Sequence, residues 1–142
     1  MEKYDRECFD WSIRRDKLLT TIRDLNADVL SLVELDVFDD FHAALKSSPT
    51  FYSGTFKKRP RSADGCGIFW RESKFEKIAE QGVDLEDRRA NGESRHDRCC
   101  LLVLLRYRLQ PRKKVIVIST HLARKCVHEK NGCVLFALVA CA

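Results

Sequence analysis

The chain has 142 residues, 44% of them hydrophobic and 33% charged, a composition that fits one globular domain with its own core and excludes a disordered chain or two comfortable domains. The formal net charge of +5 is a mild basic excess, compatible with a phosphate-rich substrate without requiring one. The longest apolar run, Cys133 to Ala142, is about half of what a membrane-crossing helix needs, and Met1 to Asp10 is mixed in charge rather than basic then apolar, so the expected location is cytoplasmic or nuclear, away from membranes.

In chain order, Trp11, Leu18, Leu19, Ile22 and Leu25 recur at helical spacing over residues 11 to 26, with Asp10 as N-cap and Asn26 as the stop. Residues 28 to 34 form an almost continuous apolar run, the signature of a strand covered on both faces in a parallel or mixed sheet. Asp36 is expected to cap a second helix over about residues 37 to 46, with Phe38, Phe41 and Leu45 on one face. Past Pro49 the spacing shortens. Residues 51 to 57 and 66 to 71 read as aromatic-rich strands joined by the basic loop Lys57, Lys58, Arg59, Pro60, Arg61. A further strand is expected within residues 75 to 85, and Asp84 to Arg95 reads as a polar loop. Cys99 to Leu109 and Lys114 to Thr120, linked by the short turn Gln110 to Lys113, read as an antiparallel hairpin. This order suits a layered α/β architecture with a mixed sheet.

The seven cysteines are odd in number and follow no disulfide framework, so they read as reduced thiols, several of them buried. Cys126, His128 and Cys133, with Cys141 beyond, form a loose zinc-like set without paired Cys-x-x-Cys spacing. Two polar residues at strand ends carry more information. Glu34 closes an apolar strand, where a carboxylate either binds a hard divalent cation or marks the point at which the strand meets water. His121 follows the strand Val115 to Thr120, where it either donates to a phosphate oxygen or bonds a neighbouring carbonyl structurally. The glycines of Asp64-Gly65-Cys66-Gly67 read as a tight turn into a strand, shaped by an Asx bond from Asp64.

Taken together these segments are more specific. Ala27 to Asp36 (ADVLSLVELD) resembles the first metal-binding motif of the endonuclease/exonuclease/phosphatase superfamily, "ADVL-x-LQEVD". Asp64 to Arg71, followed by Ser73-Lys74-Phe75, is similar to the "DGCAIFWR-x-SKF" segment of its deadenylase-like branch, which includes the nocturnin and Angel relatives. His96-Asp97-Arg98 resembles the "KDR" or "KDN" lead-in to a core strand, and Ser119-Thr120-His121-Leu122 the "NTHL" or "STHL" motif. All four occur in the family's order, over roughly residues 11 to 125.

The resemblance implies a four-layer α/β sandwich, two mixed sheets flanked by helices, of which this chain would hold the N-terminal half as residues 1–125, with residues 126–142 an atypical tail. It implies a hydrolase that cleaves phosphodiesters with Mg2+ or Mn2+, and points to RNA tails of the poly(A) type or a related nucleotide as substrate. Glu34 would coordinate the metal. His121 would contact the scissile phosphate, and Lys58, Arg59 and Arg124 are candidates for phosphate contact. Departures qualify the match. Val33 stands where the motif has Gln, the opening strand with its Asn is absent, and neither the Gly-Asp-Phe-Asn nor the Ser-Asp-His motif occurs after residue 97. The alternative expectation is therefore an inactive fragment that acts at most as a binding or interaction module, with an unfinished sheet edge and an exposed apolar tail that favour poor solubility or a partner.

Overall fold

A computed structural model of the chain describes residues 10–47, 49–88, 94–121 and 137–141. Helix α1 (Trp11–Leu25) starts where Asp10 Oδ1 accepts the Ser12 amide at 2.9 Å and the Ile13 amide at 3.4 Å. A bond from the Ser12 hydroxyl, with these two amides, holds the Asp10 carboxyl below its ordinary value. The helix stops at Asn26, which takes the left-handed conformation with φ 49°. Strand β1 (Val29–Leu35) leads into α2 (Phe38–Lys46). The expected cap at Asp36 is not formed: Val37 occupies the N-cap position without a side-chain bond, and Asp39 and Asp40 supply negative charge in the first turn. Asp40 instead accepts from Trp11 Nε1 at 3.0 Å and pairs with Arg15 at 3.1 Å, tying the two helices together.

Strands β2 (Tyr52–Lys58) and β3 (Gly65–Arg71) complete a first sheet in the order β1-β3-β2. The second sheet runs β4 (Phe75–Arg88), β5 (Ser94–Tyr107), β6 (Lys114–Thr120) and β7 (Ala137–Cys141), paired in chain order. Every strand pair described is antiparallel, so the mixed sheets expected from β1 are corrected. The both-face burial that suggested them is nevertheless present. In β1, Leu30, Leu32 and Leu35 pack toward the helices while Val29 and Val33 pack toward the second sheet, because the first sheet is the middle layer of three. Asp84 to Arg95 is likewise not all loop: β4 continues to Arg88 and β5 begins at Ser94. Its charges alternate with Val83 and Leu85, and the antiparallel partner supports a strand that composition alone argues against. Ala137–Cys141, from the apolar run at the end of the chain, pairs with the edge of β6.

Two cores result. One lies between the sheets and contains Cys66, Ile68, Trp70, Phe75, Leu101, Val103, Leu105 and Val117. The other lies between the first sheet and the helices, built on Leu19, Ile22, Phe41, Leu45, Tyr52 and Phe69. Strand β3 is central and buried on both faces over Gly65 to Trp70. Burying side chains of this kind contributes about 1.5–3 kcal/mol each. No helix among the described residues is long and apolar enough to cross a membrane.

Candidate active site

Strand register brings one end of each sheet together. In the first sheet, Leu35 and Lys58 both lie opposite Gly65. In the second, Cys100 lies opposite Thr120. The two ends meet where Cys99 Sγ donates to the Lys57 carbonyl at 3.5 Å and touches Cys66 Sγ at 3.8 Å. Slightly deeper, Ser31 Oγ of β1 donates to the fully buried Ser119 Oγ of β6 at 2.9 Å.

From that bond both chains run outward to the same rim. His121 lies two residues past Ser119, so the period-two alternation of a strand turns it toward the first sheet. Glu34 arrives by a different device. Leu30 and Leu32 face the helices, and strict alternation would put Glu34 on that apolar side next. A bulge between Val33 and Leu35 hands this position to Leu35. Glu34 is left with φ 58°, a left-handed backbone that costs a non-glycine residue about 1–2 kcal/mol. The result is an exposed carboxylate, 69% accessible, with Oε1 3.4 Å from His121 Nε2.

Arg59, just past β2, enters from the side. Its backbone amide donates to the Asp64 carbonyl at 3.0 Å, closing the turn into β3. Its Nη2 lies 3.4 Å from Asp64 Oδ1, which also accepts from the Ser62 hydroxyl, and its Nη1 lies 2.9 Å from His121 Nδ1. A guanidinium is only a donor, so Nδ1 must be the acceptor. That bond leaves Nε2 as the ring's donor, facing Glu34. Carboxylate, imidazole, guanidinium and carboxylate thus alternate along the rim. Gly65 permits the tight closure, since a Cβ there would lie 2.2 Å from the Lys57 carbonyl oxygen.

Of the expected site residues, the structure brings Glu34, Arg59 and His121 together. Lys58 is exposed at the end of β2, and its neighbour Lys57 is drawn to Asp84 at 2.6 Å. Arg124 lies outside the described residues, as do Cys126, His128 and Cys133. The expected turn is corrected: Gly65 and Gly67 lie within β3, and in place of an Asx bond the Asp64 carboxylate accepts from the Ser62 hydroxyl and holds Arg59, a role marked in the sequence only by an arginine and an aspartate bracketing a Pro-containing turn. Asp97, 6% exposed and 3.6 Å from Arg98 Nε, places another carboxylate at the same end of β5, three residues before Cys100. Among the described residues no three His, Cys, Asp or Glu side chains converge on a common point. Glu34 is an outward-facing carboxylate that could offer oxygen to a cation from the rim. That donor suits Mg2+, which keeps several waters and takes one or two carboxylates besides substrate phosphates.

An open rim of polar side chains across the ends of two packed antiparallel sheets, reached by the motif order described above, places the protein in a known class. The chain belongs to the Endonuclease/Exonuclease/phosphatase family, whose model matches residues 9–136. Among relatives it is 37% identical over 82 residues to Carbon catabolite repressor protein 4 homolog 5 of Arabidopsis thaliana, covering 57% of this chain and 18% of that protein. It is 30% identical over 102 residues to the CCR4-Not complex 3'-5'-exoribonuclease subunit Ccr4 of Neurospora crassa, covering 61% and 13%. Among solved structures, the human Nocturnin catalytic domain with bound sulfate superposes with a TM-score of 0.68 at 22% identity, covering 84% of this chain and 46% of that one. ANGEL2, a 2',3'-cyclic phosphatase solved with adenosine-2',3'-vanadate, gives 0.66 at 28%, covering 84% and 36%. The matched part of the chain thus spans less than half the length of each of these proteins. The deadenylase-like branch expected from the motifs is the one to which these relatives belong.

Proposed function

We propose that the chain carries the Glu34–His121 part of the site of a cation-dependent phosphodiester hydrolase acting on RNA 3′ ends, of the poly(A) type, or on a related nucleotide. The observation that carries this reading is the 3.4 Å approach of His121 Nε2 to an exposed carboxylate held out by a strained bulge. A strained backbone at a polar rim is common at functional sites. The relatives support the substrate class: one is named an exoribonuclease, and another is a cyclic phosphatase crystallised with an adenosine ligand.

Glu34 would hold Mg2+ or Mn2+, and the bound ion would supply neutralisation of phosphate charge. His121 would aim its Nε2 proton at a nonbridging phosphate oxygen, the role of a preorganised donor. Arg59 fixes the imidazole tautomer that makes this donation possible and adds positive charge beside it. Lys58, exposed at the same rim, and Arg124 are the further candidates for phosphate contact.

A second reading is that this stretch binds RNA or a partner without cleaving, since it spans less than half the length of the relatives it matches. The test is hydrolysis of a 5′-labelled oligoadenylate RNA by the purified chain with Mg2+, with chelator, and with Glu34→Ala. Mg2+-dependent shortening that disappears in Glu34→Ala supports the enzyme reading. No shortening, with cation and RNA still bound, supports the second. No shortening and no binding overturns both.

A further inference from the structure

The opposite end of the sandwich holds a surface that the rim chemistry does not use. Residues 106–114, the β5–β6 hairpin, contain Arg106, Arg108, Arg112, Lys113 and Lys114 and no acidic residue. Those five charges equal the net surplus of the whole chain, +5. Residues 107–114 are all exposed, and at about 3.3 Å per residue the length of β6 separates them from His121 by about 20 Å.

Nearby carboxylates cancel only the Arg106 end of this charge. Arg106 already satisfies Glu76 at 2.7 Å, and Lys74 and Arg71 satisfy Asp28 at 2.7 and 3.5 Å. Among the described residues no ion pair engages Arg112, Lys113 or Lys114. Arg108 is held in place by donating from Nε to the Glu72 carbonyl at 2.6 Å. Lys113 and Lys114 line an open cleft of about 620 Å³ together with Tyr107 and the paired Lys74 and Asp28. The Tyr107 ring packs on Phe75 with centroids 4.5 Å apart and is still 38% exposed, which makes it a fixed platform beside Lys113 and Lys114.

We propose that this hairpin is a separate contact surface for single-stranded RNA: Arg112, Lys113 and Lys114 pair with successive phosphates while a base stacks on Tyr107. An aromatic face interleaved with cations is what a single strand needs, because every base offers a π-face and every nucleotide a phosphate. An acidic protein segment would use the charges and leave the ring idle. An anionic membrane would need apolar side chains to insert, and the hairpin offers one strongly exposed aliphatic, Leu109 at 92%. The surface is independent of hydrolysis at the Glu34–His121 rim, and it would hold RNA that extends past that rim.

The test is anisotropy of a 5′-fluorescein single-stranded 20-nucleotide RNA with the full chain, in chelator so that binding alone is read, over a KCl series. Charge reversal in Arg112→Glu/Lys113→Glu/Lys114→Glu should weaken binding at least tenfold near 0.1 M salt. It should also reduce the salt slope by about 2, at about 0.7 per phosphate contact. Tyr107→Leu, which keeps an apolar side chain against Phe75, should weaken binding severalfold with the slope unchanged. The proposal is overturned if the triple variant, folded by its melting curve, keeps the wild-type affinity and slope. It is equally overturned if Tyr107→Leu binds RNA like wild type, or if the triple variant loses phosphatidylserine vesicles but not RNA. None of these results bears on the Glu34–His121 reading, which the cleavage assay tests separately.

Discussion

Arg59 Nη1 lies 2.9 Å from His121 Nδ1, so the imidazole is presented to the rim as the tautomer with its proton on Nε2. The Asp64 carboxylate holds the other branch of the guanidinium at 3.4 Å. One prediction follows for the ring itself. Nitrogen-detected NMR at pH 8 should show His121 Nδ1 unprotonated and Nε2 protonated, and Arg59→Ala should mix the tautomers. Activity in oligoadenylate cleavage should fall about 10- to 100-fold in that variant, the range in which supporting contacts to a functional histidine act in comparable sites. Arg59→Lys should not restore it, because a point charge cannot bridge Asp64 and His121 at once.

The left-handed backbone at Glu34 gives a stability test separate from function. Glycine adopts φ 58° without steric cost, and alanine does not. Glu34→Gly should therefore be more stable than Glu34→Ala by about 1 kcal/mol in urea unfolding, while both lose cation binding. Equal stabilities would mean that the bulge relaxes when the glutamate is removed.

The Ser31–Ser119 hydrogen bond joins the sheets below the rim and is shielded from water on the Ser119 side. Ser119→Ala should cost about 1–2 kcal/mol, since Ser31 loses its buried partner. A double-mutant cycle with Ser31→Ala should return a coupling of about 1 kcal/mol. A coupling near zero would show that the two strand ends are not held in register there.

Cys66 and Cys99 should behave as packing residues. Burial pushes the Cys66 thiol up to about 12 from its ordinary 9.0, and Cys99 is raised as well, mainly by burial. In the folded state neither should react with iodoacetamide at pH 8 faster than the protein unfolds. The sign of the pH dependence follows. Between about 9 and about 12 the unfolded chain gives up the Cys66 proton and the folded chain keeps it. The stabilisation is thus complete below pH 9 and falls as pH rises through that window. Rapid alkylation of native protein at neutral pH would contradict this placement.

Much of the fold was legible because local chemistry and tertiary packing agree. The Asp10 cap, the Asn26 stop and the hairpin at Gln110 to Lys113 are set by residues within a few positions of one another. The errors fall where distant partners decide. β1 reads as a parallel-sheet strand because both its faces are apolar, yet what covers the far face is a second antiparallel sheet, which one strand's pattern cannot reveal. Asp84 to Arg88 reads as loop because its charges hide a strand whose partner begins at Ser94. At the site, Glu34 and His121 stand out as polar ends of apolar strands. The bulge that turns Glu34 outward, and the Asp64 contact that aims Arg59, are three-dimensional and have no one-dimensional signature.

Binding of a divalent cation by Glu34 beside His121 can be read by titrating the 15N-labelled chain with Mn2+ and following paramagnetic broadening. Signals of Glu34, Leu35 and the His121 ring should broaden first, excess Mg2+ should restore them, and Glu34→Gln should abolish the effect. Broadening centred elsewhere, or unchanged in Glu34→Gln, would contradict it.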